Sequence, residues 1–378
     1  LDHAATTPVR PEEVEAMTPY FTEHFGNPSS IYPLGQEASD AVAAARESLA
    51  GLIGAAPREI FFTSGGTESD NWAIKSFSRS IRKKHMGASC HIITTSIEHN
   101  AVLNSCRTLE SEGFTVTYLP CDKYGFIHPE TLQAAIRDDT ILISVMAANN
   151  EVGSIQPLKA IGQIARRHQI VFHTDAVQAY GHIPINVNEC MIDMLSMSAH
   201  KLHGPKGVGF LYIRNGLELP SYIDGGSQEN GHRAGTSNVP GIVGLGKACE
   251  IAARNMQKNI NSMTRLRNRL IYQIRQGLPN AVLTGSEQMR LPNNVSFCFP
   301  GVESAQLLSI LDSHGICASA GSACSTGAAG PSHVLIAMGI DYNLAGGSLR
   351  LTLSGENTMQ EVDFVAETVI KAVKRLSI

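Results

Sequence analysis

The sequence predicts an α/β protein: a large unit with a mostly parallel central sheet flanked by helices, and a smaller α+β unit. Three observations carry this expectation. Between residues 60 and 213, short apolar runs alternate with amphipathic segments of helical period, as in strand–helix–strand units whose strands pair in parallel. A length of 378 residues exceeds what one hydrophobic core usually spans. A Gly-rich polar loop at 225–236 then gives way to one long helical pattern, with further strand and helix signals beyond it.

The elements follow in order. Asp2-His3-Ala4-Ala5-Thr6-Thr7-Pro8 is a polar opening stopped by proline. Residues 12–25 have helical spacing and end at a loop over 26–30; residues 36–53 form an Ala-rich helix that Gly54 terminates. Strands are expected at 60–63, 91–95, 115–119, 141–146, 170–173, 194–197 and 208–213. Ser64-Gly65-Gly66-Thr67-Glu68 opens a helix through Ser78, and Ser96-Ile97-Glu98-His99 leads into a helix reaching Glu110. Further helices cover 129–136 and 158–167. The long helix, 239–276, is expected to break near 255–261. Beyond it lie strands at 295–299 and 349–353, and helices at 304–313, 332–338 and 359–376. The large unit is expected over 15–250 and the small one over 1–14 and 251–378, with a Gly/Ala/Ser-rich loop at 318–330.

Composition narrows the function. A net charge of −4 argues against a nucleic-acid protein working through a basic surface. No apolar stretch is long enough for a membrane helix, and the first residues offer neither a basic start nor an apolar signal core. The eight cysteines, at 90, 106, 121, 190, 249, 298, 317 and 324, form no Cys-x-x-Cys pair and no zinc-finger grouping. Most are expected to be buried and reduced, Cys298 and Cys317 among them, as in a cytoplasmic protein.

In open α/β sheets ligands bind beyond the carboxyl ends of the strands. Thr67, His99, Asn150, Asp175, Gln178, Ser198, His200 and Lys201 all fall just after a predicted strand. Any one of them alone reads as a cap or turn residue; eight together describe a site. Lys201, next to His200 and before a Gly-Pro break, suits an amine held in a partly dry pocket, where desolvation makes it nucleophilic. Gly66-Thr67 at a helix start offers backbone N–H groups to a phosphate. An amine, an acid after a neighbouring strand and a phosphate cradle point to pyridoxal phosphate. Lys201 supplies the amine, Asp175 the carboxylate for the pyridine nitrogen, and Ser198, His200 and Gly66-Thr67 the phosphate contacts. His99 is placed to stack on the ring, and Gln178 to reach its phenolic oxygen.

Six motifs then give a specific likeness: Ser-Gly-Gly-Thr-Glu-Ser at 64–69, Asn-Asn-Glu-Val-Gly at 149–153, His-Thr-Asp-Ala-Val-Gln at 173–178, Ser-Ala-His-Lys at 198–201, Arg-Ala-Gly-Thr at 233–236 and Gly-Ser-Ala-Cys at 321–324. In this order and spacing the chain resembles the NifS/IscS-type cysteine desulfurases, class V aminotransferases of pyridoxal phosphate fold type I, along nearly its whole length. The resemblance implies that Thr67, Asn150, Asp175, Gln178, Ser198, His200 and Lys201 hold the cofactor in one subunit. It implies a homodimer in which Thr236 donates to the phosphate of the partner's cofactor. Arg350 matches the clamp for the substrate carboxylate, with Asn150 beside the substrate, and His99 the acid/base group. Cys324 matches the nucleophile that takes sulfur from L-cysteine as a persulfide, leaving L-alanine. An iron–sulfur scaffold protein is the implied acceptor. No metal is implied in the isolated enzyme, although Cys324 is a possible cluster ligand in a scaffold complex. The rivals are a selenocysteine lyase or aminotransferase of the same fold, which would not need Cys324, and a non-catalytic binding homologue, against which the intact residue set stands.

Overall fold

Seven strands form the main sheet of the computed structural model, which describes residues 1–321 and 330–377. They are β1 (Ile60–Thr63), β2 (His91–Thr95), β3 (Thr115–Leu119), β4 (Thr140–Ser144), β5 (Val171–Asp175), β6 (Met194–Ser198) and β7 (Gly209–Ile213). Their spatial order is β1-β7-β6-β5-β4-β2-β3. All neighbours from β6 to β3 pair in parallel, and only β7, antiparallel to β1 and β6, runs against the rest. Helices Asn100–Ser111, Pro129–Ala135 and Leu158–Arg167 each make the crossover that a parallel pair requires.

Both faces of this sheet are covered, and the strand alternation shows how. Ile60, Phe62, Ile93, Phe172, Leu195, Met197, Phe210 and Tyr212 join one core with helices Pro33–Ile53 and Leu158–Arg167. Their sequence neighbours Phe61, Ile92, Leu142, Met194, Leu211 and Ile213 join a second, under Trp72, Phe77, Val102 and Leu109. Along β4, β5 and β6 this second face turns polar toward the carboxyl ends, where Ser144, His173, Asp175, Ser196 and Ser198 take the alternate positions, all of them buried. The site is therefore set on one face and one edge of the sheet.

A smaller antiparallel sheet contains β8 (Val282–Leu283), β9 (Asn294–Cys298) and β10 (Ser348–Thr352), in the order β10-β9-β8. Its core includes Phe297, Leu351, Leu307, Val365 and Val369, the last three from helices Ser304–Ser313 and Met359–Leu376. Helix Val239–Gly277 serves both cores: Val239, Ile242, Leu245 and Cys249 pack in the first, while Leu266, Leu270 and Ile274 pack in the second. The sequence-based division at 250/251 lies within this helix.

Several local expectations need correction. The helix expected to break near 255–261 is continuous from Val239 to Gly277. Its polar midsection crosses between two cores, and the helix-propensity deficit of a few Asn residues, about 0.7 kcal/mol each at most, does not stop it. Conversely, the segment expected as one helix over 12–25 is two, Pro11–Met17 and Pro19–Thr22, because Pro19 has no N–H to continue the first. The helix after Gly65 does not end at Ser78. It runs to Lys84 through a π-helical turn, Trp72–Ser76, whose buried Trp72 indole donates to Pro220 O at 2.8 Å. β4 ends at Ser144, not 146. Cys317, expected in a core, is exposed.

Close packing gives a direct test of these layers. A Cβ added at Gly162, in helix Leu158–Arg167, would lie 1.9 Å from Cys190 O, a backbone atom that cannot rotate away. Gly162→Ala is expected to destabilise the protein by about 1–3 kcal/mol, read as a lowered thermal midpoint with unchanged secondary structure.

Candidate active site

The polar edge of the main sheet opens into a cavity of about 190 Å³. Gly66 and Thr67 (after β1), Glu98 and His99 (after β2), Asn150 and Glu151 (after β4), Asp175 and Gln178 (from β5), and Ser198, His200 and Lys201 (from β6) all line it. Arg350, from β10 of the second sheet, closes the opposite wall. Of the twelve residues singled out from sequence, the structure thus brings ten together. Thr236 is exposed in a separate pocket beside Phe62, Ser64 and Gly207. Cys324 lies outside the described residues.

The phosphate-cradle geometry follows from glycine. Gly65 has φ +150°, open to a residue without a side chain, and a Cβ at Gly66 would come 2.6 Å from Val177 Cγ2. Within the helix that begins at Gly66, Ser69 N is the N–H that reaches back to Gly65 O, so the N–H groups of Gly66 and Thr67 precede the first helical bond. Glu68 fixes this turn: its carboxylate accepts from Ser64 N at 2.8 Å and from Arg233 at 2.9 and 3.2 Å. Those contacts hold its carboxyl below the usual range against the opposing effect of burial, the largest single influence. Arg46 grips Glu229 at 2.8 and 2.9 Å, so both acids brace the loop that carries Thr236.

Lys201 sits in a short 3-10 turn after β6 and donates to the backbone oxygens of Ala4 (2.6 Å) and Ala5 (2.7 Å). Gln178 Nε2 also donates to Ala4 O, at 3.1 Å. Arg350 is 1 % exposed, which rules out a solvated strand charge. Its Nη1 donates to Asn150 O and its Nη2 to the Asp2 carboxylate, both at 3.0 Å, while its buried Nε has no partner among the described residues. The opening segment 1–8 is therefore part of the site.

Around Asp175 the chemistry is one of buried acids. Asp175 Oδ1 accepts from Val177 N at 2.9 Å; burial raises its carboxyl, while neighbouring His99 and Lys201 and that backbone bond oppose the rise. His99 caps helix Asn100–Ser111 by accepting Ala101 N at its Nδ1 (3.2 Å), so a neutral His99 carries its proton on Nε2. His200, bonded to Thr6 Oγ1 at 3.1 Å, is lowered to about 4 by burial and by Lys201 and Lys206, and is neutral at pH 7.

Sequence reasoning missed Asp2, Asp70, Glu98, Glu151 and His333. Asp70 lies one helical turn beyond Thr67, and Glu98 directly precedes His99. Both are buried and line the cavity. Their adjacency to residues already chosen is the signal that could have found them.

The donor set fits pyridoxal phosphate: uncommitted N–H groups at a Gly-shaped turn for the phosphate, a buried carboxylate for the ring nitrogen and a cavity-facing primary amine. A family profile described as aminotransferase class-V matches residues 1–365. The chain belongs to the class V aminotransferases. Within that family it is 53% identical over 376 residues to a cysteine desulfurase IscS of Methanosarcina thermophila, covering 100% of this chain and 92% of that one. It is 51% identical over 377 residues to a cysteine desulfurase IscS of Clostridium botulinum, covering 99% and 94%. Among solved structures, a NifS-like protein superposes with a TM-score of 0.92 at 39% identity, over 99% of this chain and 98% of that one. A structure titled SspA in complex with cysteine superposes at 0.82 with 37% identity, over 94% and 99%. No helix among the described residues of this class V aminotransferase is long and apolar enough to cross a membrane.

Proposed function

We propose that this protein is a cysteine desulfurase: it converts L-cysteine to L-alanine with pyridoxal phosphate and transfers the sulfur to Cys324. The observation that carries the reading is the pairing of Lys201 with Arg350 across one cavity, an amine on one wall and a buried guanidinium on the other. A substrate carboxylate on Arg350 leaves an α-amino acid's Cα facing inward. Full-length likeness to cysteine desulfurases, and to a protein solved with cysteine, supports sulfur rather than simple amino transfer.

In this reading Gly66, Thr67, Ser198 and His200 hold the phosphate, Asp175 the ring nitrogen, and Gln178 the phenolic oxygen. The bound cofactor supplies an electron sink for the pair left when the α-proton is removed. Lys201 is the base that takes that proton; the carbonyls of Ala4 and Ala5 steer its Nζ. Asn150, whose own carbonyl is held by Arg350, borders the substrate. His99 moves a proton at the leaving sulfur. The Cys324 thiolate attacks that sulfur; the Cβ–S bond breaks as the S–S bond forms, and protonation at carbon completes alanine. A homodimer places Thr236, exposed and outside its own cavity, at the partner's phosphate. The persulfide then passes to an acceptor, an iron–sulfur scaffold protein in the cytoplasm.

The test is Cys324→Ala assayed with L-cysteine. Alanine release is expected to fall at least about a hundredfold, as for loss of a covalent nucleophile, and mass spectrometry of the wild type should find one extra sulfur on Cys324. Undiminished turnover would instead identify a lyase that needs no cysteine nucleophile.

A further inference from the structure

Of the four acids that line the cavity, Asp70, Glu98 and Asp175 act on one another electrostatically. Oxygen atoms of Asp70 and Asp175 lie within 4.8 Å of one another and of a His99 ring nitrogen, and Glu98 lines the same cavity. All three acids are buried. Among the described residues, Lys201 donates to backbone carbonyls and favours the charged form of Asp175 alone of the three, and Arg350 is matched by Asp2. A phosphate ester would bring roughly two further negative charges. Burying three ionised carboxylates side by side in this volume is costly unless each is paired.

Hydrogen bonding separates the three. Asp175 has a backbone donor, and neighbouring His99 and Lys201 favour its ionised form. Glu98 Oε1 accepts from Thr95 Oγ1 (2.9 Å) and Met146 N (2.8 Å), but its Oε2 has no partner among the described residues. Asp70 Oδ1 is likewise buried without a hydrogen-bond partner. It lies 3.6 Å from His173 Nε2, a separation that would suit an ion pair if both were charged. His173 is instead occupied on both sides by hydroxyls, Ser144 Oγ at 2.8 Å and Ser196 Oγ at 3.0 Å, an arrangement that satisfies a neutral imidazole. Burial acts against the ion pair from both ends, lowering His173 to about 3 and raising Asp70 well above the carboxylate range, with Asp175 and Glu98 adding to the rise and the Ser196 hydroxyl opposing it.

We propose that Asp70 and Glu98 are positioning residues that serve the site as neutral acids, leaving Asp175 the one ionised carboxylate of the three. The charge count stands on the geometry; its use, to reserve one anion for a protonated ring nitrogen, rests on the cofactor reading above. Burial raises Glu98 to about 8, with Asp175 contributing, and the bonds from Met146 N and Thr95 oppose the rise. The groups facing it are Asp175 and Asp70, the nearby Cys106 thiol, and His333, whose Nε2 contacts Glu98 O at 3.1 Å.

The test is infrared difference spectroscopy on the holoenzyme at neutral pH. Wild type minus Glu98→Gln, and wild type minus Asp70→Asn, should each show loss of one protonated-carboxyl band with the ionised-carboxylate bands unchanged. The Glu98 band should fade as pH rises through about 8. Loss of carboxylate bands in either difference at neutral pH overturns the inference. Should one variant fail to fold, the other and the wild-type pH series decide it. Borohydride labelling at Lys201, scored on the same sample, reports separately on the cofactor reading.

Discussion

Lys201→Ala is expected to lower alanine formation from L-cysteine by at least about a thousandfold, since it removes the group assigned both to anchor the cofactor and to move the α-proton. The effect is chemical rather than structural. Lys201 Nζ donates to the backbone oxygens of Ala4 and Ala5, and the cavity gives water access to those oxygens once the amine is gone. The thermal midpoint should therefore change little. Borohydride reduction followed by peptide mapping should label position 201 in the wild type and nothing in the variant. An unlabelled wild-type Lys201 would remove the basis of the reaction scheme. Lys201→Arg should be no better than alanine, because a guanidinium stays protonated and cannot act as base.

Arg350→Lys is expected to raise KM for L-cysteine about a hundredfold, with a smaller change in kcat, corresponding to roughly 2–3 kcal/mol of charge-assisted bonding. The guanidinium is oriented by two directed bonds, Nη1 to Asn150 O and Nη2 to the Asp2 carboxylate. An ammonium is a point charge that cannot serve these directions together. Arg350→Leu is the less informative change: it would leave Asp2 without its partner and cost stability as well as affinity. An unchanged KM in Arg350→Lys would place the substrate carboxylate elsewhere.

Much of this site was legible in the sequence because its residues obey a local rule. Thr67, His99, Asn150, Asp175, Gln178, Ser198, His200 and Lys201 lie at or just after strand ends, and strand ends show as apolar runs bounded by turns. Asp2 did not follow that rule; its partner Arg350 is 348 residues away, and nothing nearby in sequence signals the contact. Asp70 and Glu98 were missed for another reason. Acidic residues near a helix start read as solvated charges, and only the tertiary structure shows that these two are buried. The long helix was misjudged by the same logic inverted: its polar midsection looked like an interruption because one-dimensional polarity does not distinguish a stop from a crossing.

That crossing has a mechanical consequence. A 39-residue helix is about 58 Å long at the usual rise, and its two ends are embedded in the packing of different sheets. Lys201 is borne by one sheet and Arg350 by the other. Their separation is thus gauged by a stiff hydrogen-bonded rod: strain introduced at its solvent-facing middle would reach the reacting centre as an error in spacing, with every residue that touches the substrate still in place.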